Sequence, residues 1–167
     1  VGIFFRDAID FMVDIEFGLA QRQDLTVTFV EPTSLRAYYN LLRLPGVEHA
    51  ELFRSVPVRL RNGHLSYRTG INAYQNKRDL YRTLNTDHVP IDIPEQGLAL
   101  TEYLAEVLNV KPGDEITVEV LEGRRPKLSI PVSKLVTQYI GVGAYMDINS
   151  LNRMMREDSV ISGVFLK

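Results

Sequence analysis

The chain contains no cysteine and no tryptophan, and only three histidines, among its 167 residues. The lack of cysteine excludes disulfides, thiolate metal sites and a cysteine nucleophile. No stretch reaches the ~20 consecutive apolar residues that a membrane-spanning helix needs. Lysine and arginine number 19 against 21 aspartates and glutamates. The net charge of −2 therefore provides no global basic field that would attract nucleic acid, and we predict no nucleic-acid partner.

The sequence motifs of common enzyme classes are also missing. There is no P-loop, no H-E-x-x-H zinc motif and no G-x-S-x-G nucleophile motif. His49, His64 and His88 lie in separate predicted elements without a close partner in the sequence, so no metal site is predicted. Some acidic residues are close neighbours in the sequence, but nothing marks one of them as an acid and the other as a base with separated pKa values. We therefore predict no catalytic residues, no cofactor and no enzymatic activity, and a small enzyme that uses carboxylates or Tyr145 is the alternative.

What is present is the composition of an ordinary globular protein. Hydrophobic residues make up 45% and charged residues 24% of the chain. At roughly 150 residues per domain, the length corresponds to one domain, which can have lobes. A chain of this size buries roughly two-thirds of its unfolded surface and folds without crosslinks.

The first 20 residues form the most apolar helical pattern of the chain. Phe4, Phe5, Phe11 and Met12 belong to a wide apolar face opposite a stripe of aspartates. One interpretation is a helix that packs on its own domain. The other is a helix that continues a membrane helix upstream or packs on a partner. Because the sequence does not begin with Met, we expect a processed product or an excised piece, which keeps the second interpretation open.

Residues 24–75 carry the pattern of a strand, a helix and two further strands. Alternation predicts strands over 24–30, 47–61 and 65–73, a helix start signal at 31–34, and a hairpin turn at Asn62-Gly63. Pro57 predicts that the second of these strands is an edge strand or carries a bulge. This order is three-quarters of a ferredoxin-like split β-α-β unit.

The end of the chain offers the missing helix and strand. Asn149 is the predicted cap of a short helix, and a strand is predicted over residues 160–166, completing the sheet begun near residue 24. The middle of the chain then forms an insertion with a helix over 97–108 and strands over 116–120, 128–132 and 135–140. We predict an α+β fold with a helix at 1–20, a ferredoxin-like lobe from 21–75 plus 141–167, and a β-rich lobe from 76–140.

Two groups of arginines stand out locally. One lies on the long hairpin and the other at a turn tip, and they comprise Arg54, Arg59, Arg61, Arg68, Arg124 and Arg125. One interpretation is a set of solvated strand faces that protect an exposed sheet edge. The other is a charged contact surface for a partner or for lipid headgroups.

Taken in order, these segments resemble the extracytoplasmic domain of FtsX-like permeases, the MacB type of ABC transporter. Phe5 to Asp10 resembles the segment that leaves the first membrane helix, and Leu41 to Val47 the family's helix-to-strand turn. The resemblance is sharpest over Leu104 to Asp114, where a helix leads through a turn into the alternating strand 116–120. Val120 to Arg125 is most similar to long permeases that carry two such domains.

The resemblance implies a ferredoxin-like porter lobe with an inserted β-rich lobe, called Sabre, and a stalk helix at 1–20. It implies an extracytoplasmic, periplasmic location and coupling to a separate cytoplasmic ATPase subunit that hydrolyses ATP. A second permease copy, a lipid, a lipoprotein or a periplasmic protein are the implied partners, and both termini should face the membrane. The candidate contact residues are Phe4, Phe5, Phe11, Met12, Arg124 and Arg125. The alternative is a free-standing soluble binding or regulatory module with no membrane tether.

Overall fold

A computed structural model describes residues 20–76, 78–84, 89–137 and 142–167. Strands and helices within these ranges are β1 (Leu25–Ser34), α1 (Arg36–Leu42), β2 (Ala50–Asn62), β3 (Leu65–Tyr74), β4 (Leu98–Thr101), α2 (Glu102–Leu108), β5 (Glu115–Val120), β6 (Lys127–Val136), β7 (Ala144–Asp147), α3 (Ile148–Met155) and β8 (Val160–Leu166). The α+β class is confirmed. Of the helix predicted at 1–20, only Ala20 is described, so Phe4, Phe5, Phe11 and Met12 lie outside the described residues.

The eight strands form one sheet in the order β1-β8-β2-β3-β7-β4-β6-β5. In addition, β5 pairs with β2, so six of these strands close into a ring. The strand β2 belongs to both parts of the sheet. Its residues Ala50 to Phe53 pair with β8, and its residues Val58 to Arg61 pair with β5. The long hairpin strand therefore joins the ring to the β1-β8 extension.

The expectation that Pro57 marks an edge strand or a bulge is wrong. The strand β2 has a neighbour on each side, and its pairing with β3 is continuous through Pro57 and Gly70. On the other side, Pro57 falls between the last residue that pairs with β8 and the first that pairs with β5. Proline has no backbone N–H to donate to a neighbouring strand. At Pro57 the neighbour on this side changes from β8 to β5, so no donor is needed there and the position tolerates a proline.

The last strand completes the sheet that the first strand begins. The strand β8 has the bounds expected from the sequence, and it pairs with both β1 and β2 in antiparallel fashion. The strands β1 and β2 are therefore parallel, joined through α1 and separated by β8, which is a split β-α-β arrangement. The division into a lobe at 21–75 plus 141–167 and a lobe at 76–140 stays a prediction, because the eight strands form one continuous sheet.

The main core fills the ring and the space under α2 and α3. Its fully buried members include Val56, Val58, Leu60, Ile71, Leu98, Leu100, Leu104, Leu108, Val118, Leu151 and Val164. A second cluster forms around Phe165, which stacks on Phe53 and on Tyr81 at centroid distances of 4.6 Å and 4.9 Å. Val164 and Phe165 are consecutive in β8 and so project to opposite faces. The sheet is therefore packed on both faces at β8.

The predicted helix over 97–108 is wrong in its first part. Leu98–Thr101 is the strand β4, and all four of its residues are buried. The helix α2 begins only at Glu102. A short apolar run that is buried on both faces has no alternation, so periodicity cannot distinguish a strand from a helix there.

Three other boundaries differ from the sequence prediction. The start signal at 31–34 is the end of β1, and α1 follows with no side-chain cap. The cap of α3 is Asp147 rather than Asn149, and its carboxylate accepts from the backbone N–H groups of Asn149 and Ser150 at 3.0 Å each. The expected strand over 135–140 is, in its described part, the end of β6.

The hairpin turn is shifted by one residue. Asn62 pairs with Leu65, so the two turn residues are Gly63 and His64 instead of Asn62 and Gly63. Gly63 has a φ of +57°, a conformation that glycine adopts without strain. The shift changes every cross-strand pair of β2 and β3, and it places Arg68 opposite Arg59.

Candidate functional site

One arginine of β2 is buried rather than solvated. Arg54 shares the inward row of β2 with Leu52 and Val56, and its side chain is 1% exposed. Its Nη2 lies 2.9 Å from Oε1 of Glu122 and 2.8 Å from Oε2 of Glu157. The interpretation of Arg54 as a solvated residue is therefore wrong. Two carboxylates compensate its charge inside the fold.

Two segments that are distant in the sequence meet at Arg54. Glu122 belongs to the turn between β5 and β6, and Glu157 to the connection between α3 and β8. Burial raises the pKa of Glu122, Arg54 opposes the rise, and Glu157 adds to it. The Nε and Nη1 atoms of Arg54 are buried without a partner among the described residues. These three side chains, the Arg54 clamp, hold the turn at residues 121–126 against the end of α3.

The turn held by the clamp carries two of the predicted contact residues. Arg124 and Arg125 are both exposed at its tip, as the sequence indicated. Gly123 and Arg125 have φ values of +56° and +49°. An arginine seldom adopts a positive φ, so the surrounding contacts hold Arg125 in this conformation. We infer that the clamp and the flanking strands provide these contacts. The candidate residues Phe4, Phe5, Phe11 and Met12 lie outside the described residues.

A row of charged side chains crosses four strands beside this turn. Arg68 of β3 lies directly opposite Arg59 of β2. Arg59 in turn lies opposite Glu119 of β5, and Glu119 lies opposite Lys127 of β6. Arg61 follows two residues after Arg59 and projects from the same side. The intervening residues of β2 and β5 are buried, so this row, called the basic face below, lies on the outside of the ring.

One carboxylate on the basic face is shared by three cations. Glu119 lies 3.2 Å from Nζ of Lys127, 3.3 Å from Nε of Arg61 and 3.7 Å from Nη1 of Arg59. The hydrogen bond from Lys127 and the charge of Arg61 lower the pKa of Glu119. Lys127 is 71% exposed, and the arginines keep more than a third of their surface. Glu119 is therefore ionised at neutral pH and still leaves the face with an excess of positive charge.

The sheet itself does not require this arrangement. Like charges that lie directly opposite each other, as Arg59 and Arg68 do, destabilise a strand pair. Protection of a sheet edge does not explain Arg59, because β2 is paired there with both β3 and β5, whereas Arg68 precedes the residues of β3 that pair with β7. With the turn arginines, the region gathers six cations in a chain whose net charge is −2. The next carboxylate along β5, that of Glu115, accepts a hydrogen bond from Ser129 at 2.6 Å.

The basic face lies far from the end of the sheet where the described chain enters and leaves. Leu166 pairs with both Leu25 and Ala50, so the start of β1, the start of β2 and the end of β8 are together. The N–H of Asp24 also donates to the carbonyl oxygen of Leu166 at 2.9 Å. Arg59 lies nine positions after Ala50, and at ~3.3 Å per residue this distance is about 30 Å along β2.

The described residues contain no group of three or more metal-ligating side chains that could hold an ion. His49 lies 3.3 Å from the buried carboxylate of Glu51, which also accepts from the N–H groups of Asp79 and Tyr81. Glu51 thus anchors a loop. His64 lies in the hairpin turn, remote from this carboxylate, and His88 is not described. In the described part of the chain, no helix is both long and apolar enough to cross a bilayer.

Solved structures provide the comparison that is informative about this fold. The extracellular domain of the noncanonic ABC-type transporter YknZ from Gram-positive bacteria matches with a TM-score of 0.51 and 14% identity, over 81% of this chain and 73% of that chain. The chain has the fold of an ABC-transporter extracellular domain. The resemblance found in the sequence is thereby confirmed at the level of the fold.

A second transporter domain matches less closely. It is the periplasmic region of MacB from Actinobacillus actinomycetemcomitans, with a TM-score of 0.49 and 15% identity over 84% of this chain and 65% of that chain. No protein-family model and no curated protein matches the sequence.

Sequence reasoning identified the arginines of this domain but missed their carboxylate partners. The alternation of β5 already placed Glu119 on its polar side. Nothing in the sequence indicated that β5 would pair with β2, and this pairing is what brings Glu119 to Arg59. Glu157 carried no signal at all, because its partner Arg54 lies about a hundred residues earlier in the chain.

Proposed function

We propose that the chain is the extracytoplasmic domain of an ABC-transporter permease, which contacts substrates or partner proteins and moves with a separate cytoplasmic ATPase. The fold similarity to the YknZ extracellular domain is the observation that carries this proposal. The arrangement of the strand ends supports it, because the start of β1 and the end of β8 lie together. A loop domain between two membrane segments needs its entry and exit on one side.

Within this proposal the domain has a porter-like lobe at 21–75 plus 141–167 and an inserted, Sabre-like lobe at 76–140. The stalk helix at 1–20 transmits motion or packs on a second permease copy through Phe4, Phe5, Phe11 and Met12. Arg124 and Arg125 contact a partner at the far end of the domain. The mechanical role requires rigid coupling between the two lobes, and the shared strand β2 and the Arg54 clamp are suited to provide it.

The parent coding sequence on either side of this chain tests the proposal. We expect a run of ~20 apolar residues shortly before Val1 and another shortly after Lys167. Reporter fusions at both ends of the domain should then place it outside the cytoplasm. A start codon and a stop codon at the two ends, or polar linkers there, would contradict the transporter assignment and favour a free-standing binding module.

A further inference from the structure

We propose that the basic face, together with Arg124 and Arg125, binds an acidic segment of a partner protein. The proposal deepens the proposed function, because it names the chemistry of the partner that the far end of the domain recognises. It begins from the register of β2, β3, β5 and β6, which places Arg68, Arg59, Glu119 and Lys127 in one row across the outside of the ring.

Charge complementarity favours an acidic occupant. The carboxylate within this row, that of Glu119, is already paired with Lys127, Arg61 and Arg59. The side chain of Arg68 is exposed, and its cross-strand neighbour is another arginine. An acidic segment laid across the row would separate these like charges and supply the missing carboxylates. Arginine is suited to this task because its planar guanidinium binds a carboxylate through two parallel hydrogen bonds.

The turn at residues 121–126 extends the charged surface. It links Val120 of β5 to Lys127 of β6, so Arg124 and Arg125 follow directly from the row. Glu122 and Glu157 both contact the buried guanidinium of Arg54, which compensates one of their two negative charges. Asp158, the residue after Glu157, is exposed and is the other acidic residue of the connection between α3 and β8. The Arg54 clamp thus engages two partly exposed carboxylates and also fixes the position of the turn.

The position of the face favours a protein over a membrane. If the chain is tethered where β1 begins and β8 ends, the row lies about 30 Å along β2 from the bilayer side. The Debye length at physiological ionic strength is ~8 Å, so the charge of anionic headgroups is almost fully screened over this distance. An acidic protein segment can approach the face from the side that is turned away from the membrane.

Binding of a fluorescein-labelled glutamate homopeptide to the complete chain, followed by fluorescence anisotropy at low salt, tests the proposal. A glutamine homopeptide serves as the neutral probe. We expect saturable binding of the glutamate peptide, weakening as salt is raised. The double substitution R124Q/R125Q should weaken binding about tenfold, and R59Q/R68Q by a similar factor. The substitution E119Q should tighten binding, because it removes the negative charge of the row.

The matched control is R36Q/R43Q, which removes two exposed arginines from α1 and its C-terminal cap. It should change the affinity less than twofold. Equal losses in this control and in R124Q/R125Q would overturn the proposal, since net charge alone would then explain the binding. Stronger binding to vesicles of phosphatidylglycerol through the same arginines would also overturn it in favour of a lipid. These outcomes are independent of the flanking gene sequence, which tests the proposed function separately.

Discussion

Replacing Arg54 with methionine tests whether the clamp holds the two parts of the fold together. Removing one partner from a buried ion pair costs about 3–5 kcal/mol when the remaining charge stays buried. In this structure the side chains of Glu122 and Glu157 are 26% and 33% exposed to solvent, so water can reach both carboxylates after the substitution. The loss of two unpartnered guanidinium nitrogens, each worth about 1–3 kcal/mol of desolvation, offsets part of the cost.

We therefore expect R54M to lower the free energy of unfolding by about 2 kcal/mol at neutral pH, or about 4–8 °C in Tm. Urea unfolding followed by circular dichroism measures it. R36M, which changes an exposed arginine, is the control and should stay within about 0.5 kcal/mol of the original chain. The triple substitution R54M/E122Q/E157Q should recover at least half of the lost free energy of unfolding, because it also removes the two carboxylate charges that R54M leaves without a cation.

The pH dependence provides a sharper test. Because the folded-state pKa of Glu122 is raised, the folded chain binds more protons than the unfolded chain above the ordinary value of 4.5. Stability contributed by this group is present below that value and falls as pH rises through the raised pKa. Without Arg54 the pKa rises further, so the penalty of R54M should shrink as pH falls toward 4.5. A penalty that is independent of pH, or below about 0.5 kcal/mol at pH 7, would refute the clamp.

Three further substitutions separate specific contacts from general effects. E122Q should change the free energy of unfolding by about 1 kcal/mol or less at pH 7, because the amide oxygen still accepts from the guanidinium; a loss as large as that of R54M would contradict this account. G163A should cost more than about 2 kcal/mol, since its methyl group would overlap the backbone of β1, whereas G70A has room and should stay within about 1 kcal/mol, as thermal unfolding of both variants will show. By urea unfolding, D147A should lower the free energy of unfolding by about 1 kcal/mol, because α3 loses its cap, and N149A should lower it much less. A larger loss in N149A than in D147A would mean that Asn149 is the cap, as predicted from the sequence.

Local patterns in the sequence were enough for most strands and for the fold class. Polar and apolar residues alternate in β2 and β5, so one face of each strand is recognisable without any partner. The bounds of β8 agree with the prediction. Prediction failed at β4, because burial on both faces removes the alternation. It also failed at the start of α3, because Asp147 and Asn149, two positions apart, both suit a helix cap. Competing caps differ in backbone geometry, which the sequence does not specify.

The order of residues was sufficient to establish which functional groups and motifs this protein contains. The lack of cysteine and of nucleotide motifs, the near-neutral net charge and the positions of the arginines follow from the order of residues alone. Resemblance over successive motifs then indicated a transporter domain. Each of these inferences depends on residues that are close in the chain, where spacing and periodicity carry the information.

Which charged side chains meet depends on the folded chain as a whole. A one-residue shift of the hairpin turn places Arg68 opposite Arg59, and closure of the ring brings Glu119 to the same row. Arg54 is buried because two glutamates from separate segments reach it. Pairing register and ring closure depend on how the whole core packs, since a slip of one residue would reverse every inward side chain. Long-range pairings of this kind leave no local pattern in the sequence.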